Sequence, residues 1–139
     1  MTEPVGDDLP QNDPSIDADL DLFRRVPPEH YRVVDGEFVL KEGAFKNFPR
    51  PERKRMSVAL GDRLKELERQ PDSVRPLGRD DYGVVALKAR AVRAECQRVI
   101  RSPTEEEPAH GDVCGDKPPS RRKRLVPLAR WVVYPTVET

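Results

Sequence analysis

Hydrophobic positions fall into short groups separated by charge and proline. The first group, Leu20, Leu22 and Phe23, leads through Arg24-Arg25-Val26 to Pro27-Pro28, which force an extended exit. Two β-rich runs follow in 30-HYRVVDGEFVL-40, on either side of Asp35-Gly36. A two-residue primed turn needs positive φ at both central positions, so this dipeptide predicts a hairpin. Alternation places Tyr31 and Val33 on one face and Val34 on the other, with Phe38 and Leu40 pointing together. The segment 41–55 reads as basic and irregular, held to the core by Ala44, Phe45 and Phe48.

Leu60, Leu64 and Leu67 recur at helical spacing, which predicts a helix capped by Ser57 and ended by Pro71. A loop over 71–81 precedes a strand at Tyr82–Leu87, a helix near 87–96 and a strand near 97–101. Residues 102–119 read as a loop. Ser120 is then placed to cap a helix opening on Arg121-Arg122-Lys123-Arg124, with Pro127 stopping it before a strand at Trp131–Tyr134. The order predicts one small α+β domain, a mixed or antiparallel sheet with about three helices on one face.

Composition alters this picture at the N-terminus. Residues 1–23 carry seven acids and no Lys or Arg, and hold little to bury. The expected organisation is a flexible acidic arm over 1–18, a single domain over 19–135 and a tail over 136–139. Formal charge sums to zero, yet residues 24–139 hold 18 acids against 25 Lys plus Arg. The body is therefore basic, and the arm could fold onto it or meet a basic partner. No apolar run approaches the ~18 residues a bilayer span requires, and the N-terminus lacks the order of a secretory signal. The expectation is a cytoplasmic protein with no membrane contact and two reduced cysteines.

The richest chemistry lies in 105-EEEPAHGDVCGDKPPSRRKRL-125. His30, Cys96, His110 and Cys114 are enough ligands for a tetrahedral zinc site, but no CxxC knuckle is present and Cys96 fits an apolar helix stripe, so no metal is expected. On a strand, His110 and Cys114 share a face but stand about 13 Å apart, too far for a thiolate pair. His110 reads as a turn or edge histidine, and Glu105–Glu107 as solvated surface. The strongest element is basic: residues 117–130 contain six Lys or Arg and no acid. Arg121, Arg122, Lys123 and Arg124 are the expected contact surface for a protein partner, with nucleic acid as the other candidate. The resulting expectation is a binding or accessory protein without a cofactor.

The runs 22-LFRRVPPEHYRVVDGEFVLKEGAFKNF-48, 56-MSVAL-60, 108-PAHGDVCG-115 and 121-RRKRLVPLARWV-132 resemble a group of small uncharacterised bacterial proteins over residues of about 20–135. That resemblance implies no activity. A second resemblance is to ADP-ribosyltransferase-like toxins, in which an early-strand Arg and a later Ser help hold NAD. It implies an NAD-using enzyme as the alternative, with Arg24 and Ser57 in those places. The chain departs from that pattern in lacking a Gln/Glu-x-Glu motif on a late strand. Glu105 and Glu107 have the spacing but fall in a predicted loop. Arg24, Ser57 and His110 are the candidate catalytic residues.

Overall fold

Six strands form one antiparallel sheet in the order β6-β7-β4-β1-β5-β8, and two more form a separate hairpin. The computed structural model describes residues 10–47 and 54–137. Strands β1 (Asp21–Val26), β2 (Tyr31–Val34), β3 (Glu37–Leu40), β4 (Arg55–Leu60), β5 (Gly83–Lys88), β6 (Arg98–Arg101), β7 (His110–Cys114) and β8 (Arg130–Val133) alternate with three short helices. These are α1 (Gly61–Glu66), α2 (Ala89–Ala94) and α3 (Pro119–Leu125). The expected small α+β domain is the observed class.

The sheet is buried on both faces. Leu22, Val26, Val58, Leu60, Val85, Leu87 and Val113 pack on one side against Phe45, Val92 of α2 and Leu125 of α3. Phe23, Ala59, Val84 and Ala86 pack on the other side under Leu64 of α1. Helices therefore cover both faces, where the sequence pattern predicted one. The hairpin forms as expected: Asp35 and Gly36 take φ of 51° and 81°, and Val34 opposes Glu37 across the turn. Its Tyr31 and Phe38 pack edge-on to each other, and both lie against Trp131 of β8.

Three further expectations are corrected. Ser57 caps no helix; it lies inside β4, and α1 begins at Gly61. Leu60 closes the strand and Leu64 lies in the helix, so their spacing of four spans a corner. β4 alternates Met56, Val58 and Leu60 with Arg55, Ser57 and Ala59, but a helical period counted from Leu60 into the next turn hides that alternation. Ser120 is likewise not a cap, because α3 starts at Pro119 after Pro118 and makes no side-chain capping bond. The loop predicted over 102–119 contains β7, an interior strand.

Part of the expected acidic arm, 1–9, lies outside the described residues, as do Phe48 and residues 138–139. Residues 10–18 lie along β6, the sheet's edge. Asp13 donates its backbone N–H to Val99 O at 2.9 Å, and Val99 N donates to Asn12 Oδ1 at 2.7 Å. Ile16, 2% exposed, adds an apolar anchor. No helix among the described residues is long and apolar enough to cross a membrane.

Gly111 fixes how closely β7 approaches its neighbours. A Cβ there would stand 2.8 Å from Leu60 Cδ2 and 2.9 Å from Ile100 O, and the second contact is backbone of the paired strand. Gly111→Ala should cost about 1–3 kcal/mol through overpacking, read as a lower urea midpoint at unchanged slope. Unaltered stability would show that β7 moves freely against β6.

Candidate functional site

The sheet is weakest at its centre. β1 pairs with β5 over six positions and β4 with β7 over five, but β1 and β4 pair only at Leu22–Leu60 and Phe23–Ala59. Beyond Phe23 the two strands separate. The Arg24 guanidinium crosses the gap, donating from Nε to Ala44 O at 3.0 Å and from one terminal nitrogen to Ser57 O at 2.8 Å. It does for β4 what a ladder N–H would otherwise do. The residue keeps some open surface, but protein surrounds the guanidinium. Burial, with a smaller contribution from Arg25, pushes its pKa down to about 10, so it stays charged at neutral pH. Among the described residues it forms no ion pair within 4.0 Å.

On one side of the gap is a cavity of about 410 Å³ whose lining includes Arg24, Arg25, Ser57, Arg75, Glu106, Glu107 and His110. The β4–β7 register sets Ala59 opposite His110, which makes Ser57 and His110 diagonal neighbours. Ser57 Oγ is 3.1 Å from His110 Nε2. His110 Nδ1 stands 2.8 Å from Ser102 Oγ and 3.1 Å from Ser102 O. A carbonyl only accepts, so the contact with Ser102 O assigns the proton of the neutral ring to Nδ1. Nε2 is then the acceptor and Ser57 Oγ–H the donor. Glu107 is occupied: both its oxygens accept from Arg69, at 2.6 and 2.9 Å, and one also accepts from Ala109 N. The Arg69 hydrogen bonds hold its carboxyl below the usual range, so it remains ionised but neutralised.

A second cavity, of about 490 Å³, meets the first at Arg24 and Arg25 and is also lined by Glu29, His30, Lys46 and Asn47. Asn47 leads to Lys117, which is 6% exposed. Its Nζ donates to Asn47 Oδ1 at 2.6 Å, Val113 O at 2.8 Å and Gly115 O at 3.1 Å. Three acceptors use every donor of an ammonium. Burial nevertheless pushes its pKa down to about 7; Arg24 adds to this, while Cys114, Asp116 and Asp112 oppose it.

Arg24, Ser57 and His110, separated by up to 86 residues, thus line one cavity. The basic segment is arranged differently. Arg122 reaches Glu42 as an ion pair and donates to Lys117 O at 2.6 Å. Arg124 pairs with Glu95 at 2.8 Å, and Arg121 donates to Asp116 O at 3.1 Å. Lys123 is exposed. Three of the four residues are therefore bonded to the body. Among the described residues no three His, Cys, Asp or Glu side chains cluster as a metal site would require. Cys114 is buried, and burial pushes its thiol pKa up, away from thiolate chemistry. Arg25, Arg75, Ser102 and Lys117 were not singled out by sequence, and nothing local marks them. Only tertiary packing brings Arg25 and Arg75 to the cavity lining, Ser102 against His110 and Lys117 beneath Asn47. The chain matches no known protein family, no curated protein and no solved structure.

Lys117 gives a pH dependence of defined sign. An unfolded lysine titrates near ~10.4, and the folded one near about 7. Between these values the unfolded chain holds a proton that the folded chain has released, so this group's contribution to stability rises with pH there and is flat below. The stability of wild type minus that of Lys117→Met, from urea unfolding between about pH 6 and pH 9.5, should therefore grow with pH. A difference independent of pH would mean the amine titrates normally.

Proposed function

We propose that the protein binds a small anionic ligand, of the nucleotide-phosphate class, where the sheet splits, with Arg24 as its anchor. The observation that carries this reading is a charged guanidinium surrounded by protein, spent on two carbonyls and in no ion pair among the described residues. A guanidinium presents five donors, so a phosphate or carboxylate entering either cavity finds further N–H groups and an unbalanced charge. Arg25 and Arg75 also line the first cavity, Arg75 within 3.8 Å of Asp80; of the cavity's two acids, Glu107 is neutralised by Arg69 and Glu106 is exposed at the rim.

NAD is the first ligand to test, because the resemblance to ADP-ribosyltransferase-like toxins places Arg24 and Ser57 in its site. The transfer chemistry has weaker support than the binding. Of the two acids with the expected spacing, Glu107 is tied to Arg69, and Glu105 is exposed and outside the cavity lining. A second reading keeps α3 as a docking surface for a protein or nucleic acid. It is supported by the exposed Lys123 and Arg124 and weakened by the ion pairs of Arg122 and Arg124.

Calorimetric titration with NAD, ADP and pyrophosphate should show saturable binding. Arg24→Lys, which keeps the charge and loses the fork, should weaken it about tenfold or more. Wild type that takes up none of the three at millimolar concentration would end this reading. For α3, replacing all four basic residues by Ala should lower stability by about 1 kcal/mol, because the Arg122–Glu42 pair is partly buried. The same variant should change the salt dependence of DNA binding by fewer than four contacts' worth, each about 0.9 in slope. A loss of the full slope with no loss of stability would restore α3 as the principal contact surface.

A further inference from the structure

We propose that Ser57 is a nucleophile, with His110 as its general base, and that the cavity hydrolyses carboxylic esters whose acyl part carries a negative charge. The charge preference rests on the anion-binding reading of Arg24; the nucleophile does not. Ser57 Oγ and His110 Nε2 are 3.1 Å apart, within the reach required of a nucleophile and its base. The base is oriented by a third group: Ser102 holds Nδ1 through its carbonyl and its hydroxyl, leaving the Nε2 lone pair towards Ser57. This is the tautomer a general base needs, set here by a main-chain carbonyl rather than a carboxylate. Both side chains line the 410 Å³ cavity, so an entering acyl group can reach Oγ. Both also sit on paired interior strands, which hold them more rigidly than loops would.

The step balances within these residues and water. As Oγ bonds to the acyl carbon, its proton passes to Nε2. The ester C–O bond then breaks, and the departing alkoxide takes that proton and leaves as the alcohol. Water next gives a proton to Nε2 and attacks the acyl carbon. Ser57 Oγ departs and recovers the proton, releasing the acid. Arg24 and Arg25 border the same cavity and would hold the acyl group's negative end, which is why an anionic acyl chain is favoured over a neutral one.

The full chain is treated with a fluorophosphonate probe, and the modified peptide is located by mass spectrometry. Labelling is expected at Ser57, lost in Ser57→Ala and slowed about a hundredfold or more in His110→Gln. Labelling at another residue, or none in wild-type protein of native melting temperature, overturns the nucleophile, whatever the outcome of the NAD titration. Acyl preference is read separately, from release of p-nitrophenol by the monoester of succinate and by the acetate ester. Faster turnover of the succinate ester, with the ratio falling in Arg24→Lys, supports the charged substrate. Equal rates on both esters with Ser57 labelled overturn the anionic preference and leave the nucleophile standing.

Discussion

The hydrogen bonds from Arg24 to Ala44 O and Ser57 O are what the architecture turns on. A six-stranded antiparallel sheet with only two paired positions at its centre is close to being two three-stranded sheets. In a fully zipped sheet the carbonyl of Ser57 would meet a neighbour's N–H. Here a side chain reaches it, so that the guanidinium joins the sheet's halves while their separation leaves room for the cavity. Filling the gap with a guanidinium has an electrostatic cost, seen in the lowered pKa of Arg24 and in its effect on Lys117. Two buried cations close enough to perturb each other, with no carboxylate bonded to either, are uncommon in a core that needs only to be stable. The cost is understandable where a site needs positive charge in a place shielded from water.

The formal neutrality of the chain hides a division of labour. Several of its charges are spent in pairs that tie distant segments together: Arg101 with Asp62, Arg69 with Glu107, Arg122 with Glu42, and Arg130 and Lys88 with Asp21. Each exposed pair contributes little stability by itself. Collectively they fix the connecting segments over the sheet: Arg69–Glu107 pins the acidic loop beside the cavity mouth, and Arg122–Glu42 fastens α3 to the turn carrying Ala44. A sequence-level reading of clustered charge as a contact surface ignores these partners, because they lie 38 and 80 residues away.

What sequence could reveal followed from locality. The Asp35-Gly36 hairpin, the β5–α2 unit and β6 depend on turn chemistry and period, both local, and were legible. β1, β4 and β7 were not. β1 carries two consecutive arginines, one covered and one exposed, which breaks the alternation expected of a strand. β4 alternates, but its last residue, Leu60, stands at helical spacing from Leu64 of α1, so a helical period ran across the corner. β7, with two polar side chains and a glycine among its five residues, resembled a loop. For the site, Arg24 and Ser57 were singled out by one resemblance and His110 by the chemistry of its own segment. Their meeting depends on the pairing of β4 with β7 and the failure of β4 to pair fully with β1. Those are long-range facts that no local window contains. Lys117 was counted only as one of six basic residues in 117–130, and its burial follows from the packing of the Asn47 segment against it.

The strip of chain over residues 10–18 has a consequence for how the molecule coexists with its copies. β6 would otherwise present a row of unsatisfied backbone groups, the feature through which sheet proteins join into larger, unintended assemblies. Asn12 and Asp13 occupy that row at Val99, and Ile16 closes it with a buried side chain. An acidic stretch with little apolar content thus acts as a stopper on the sheet. A chain trimmed to begin at the first strand would leave that edge open to self-association and lose material to precipitation, even with the cavity at the sheet's centre intact.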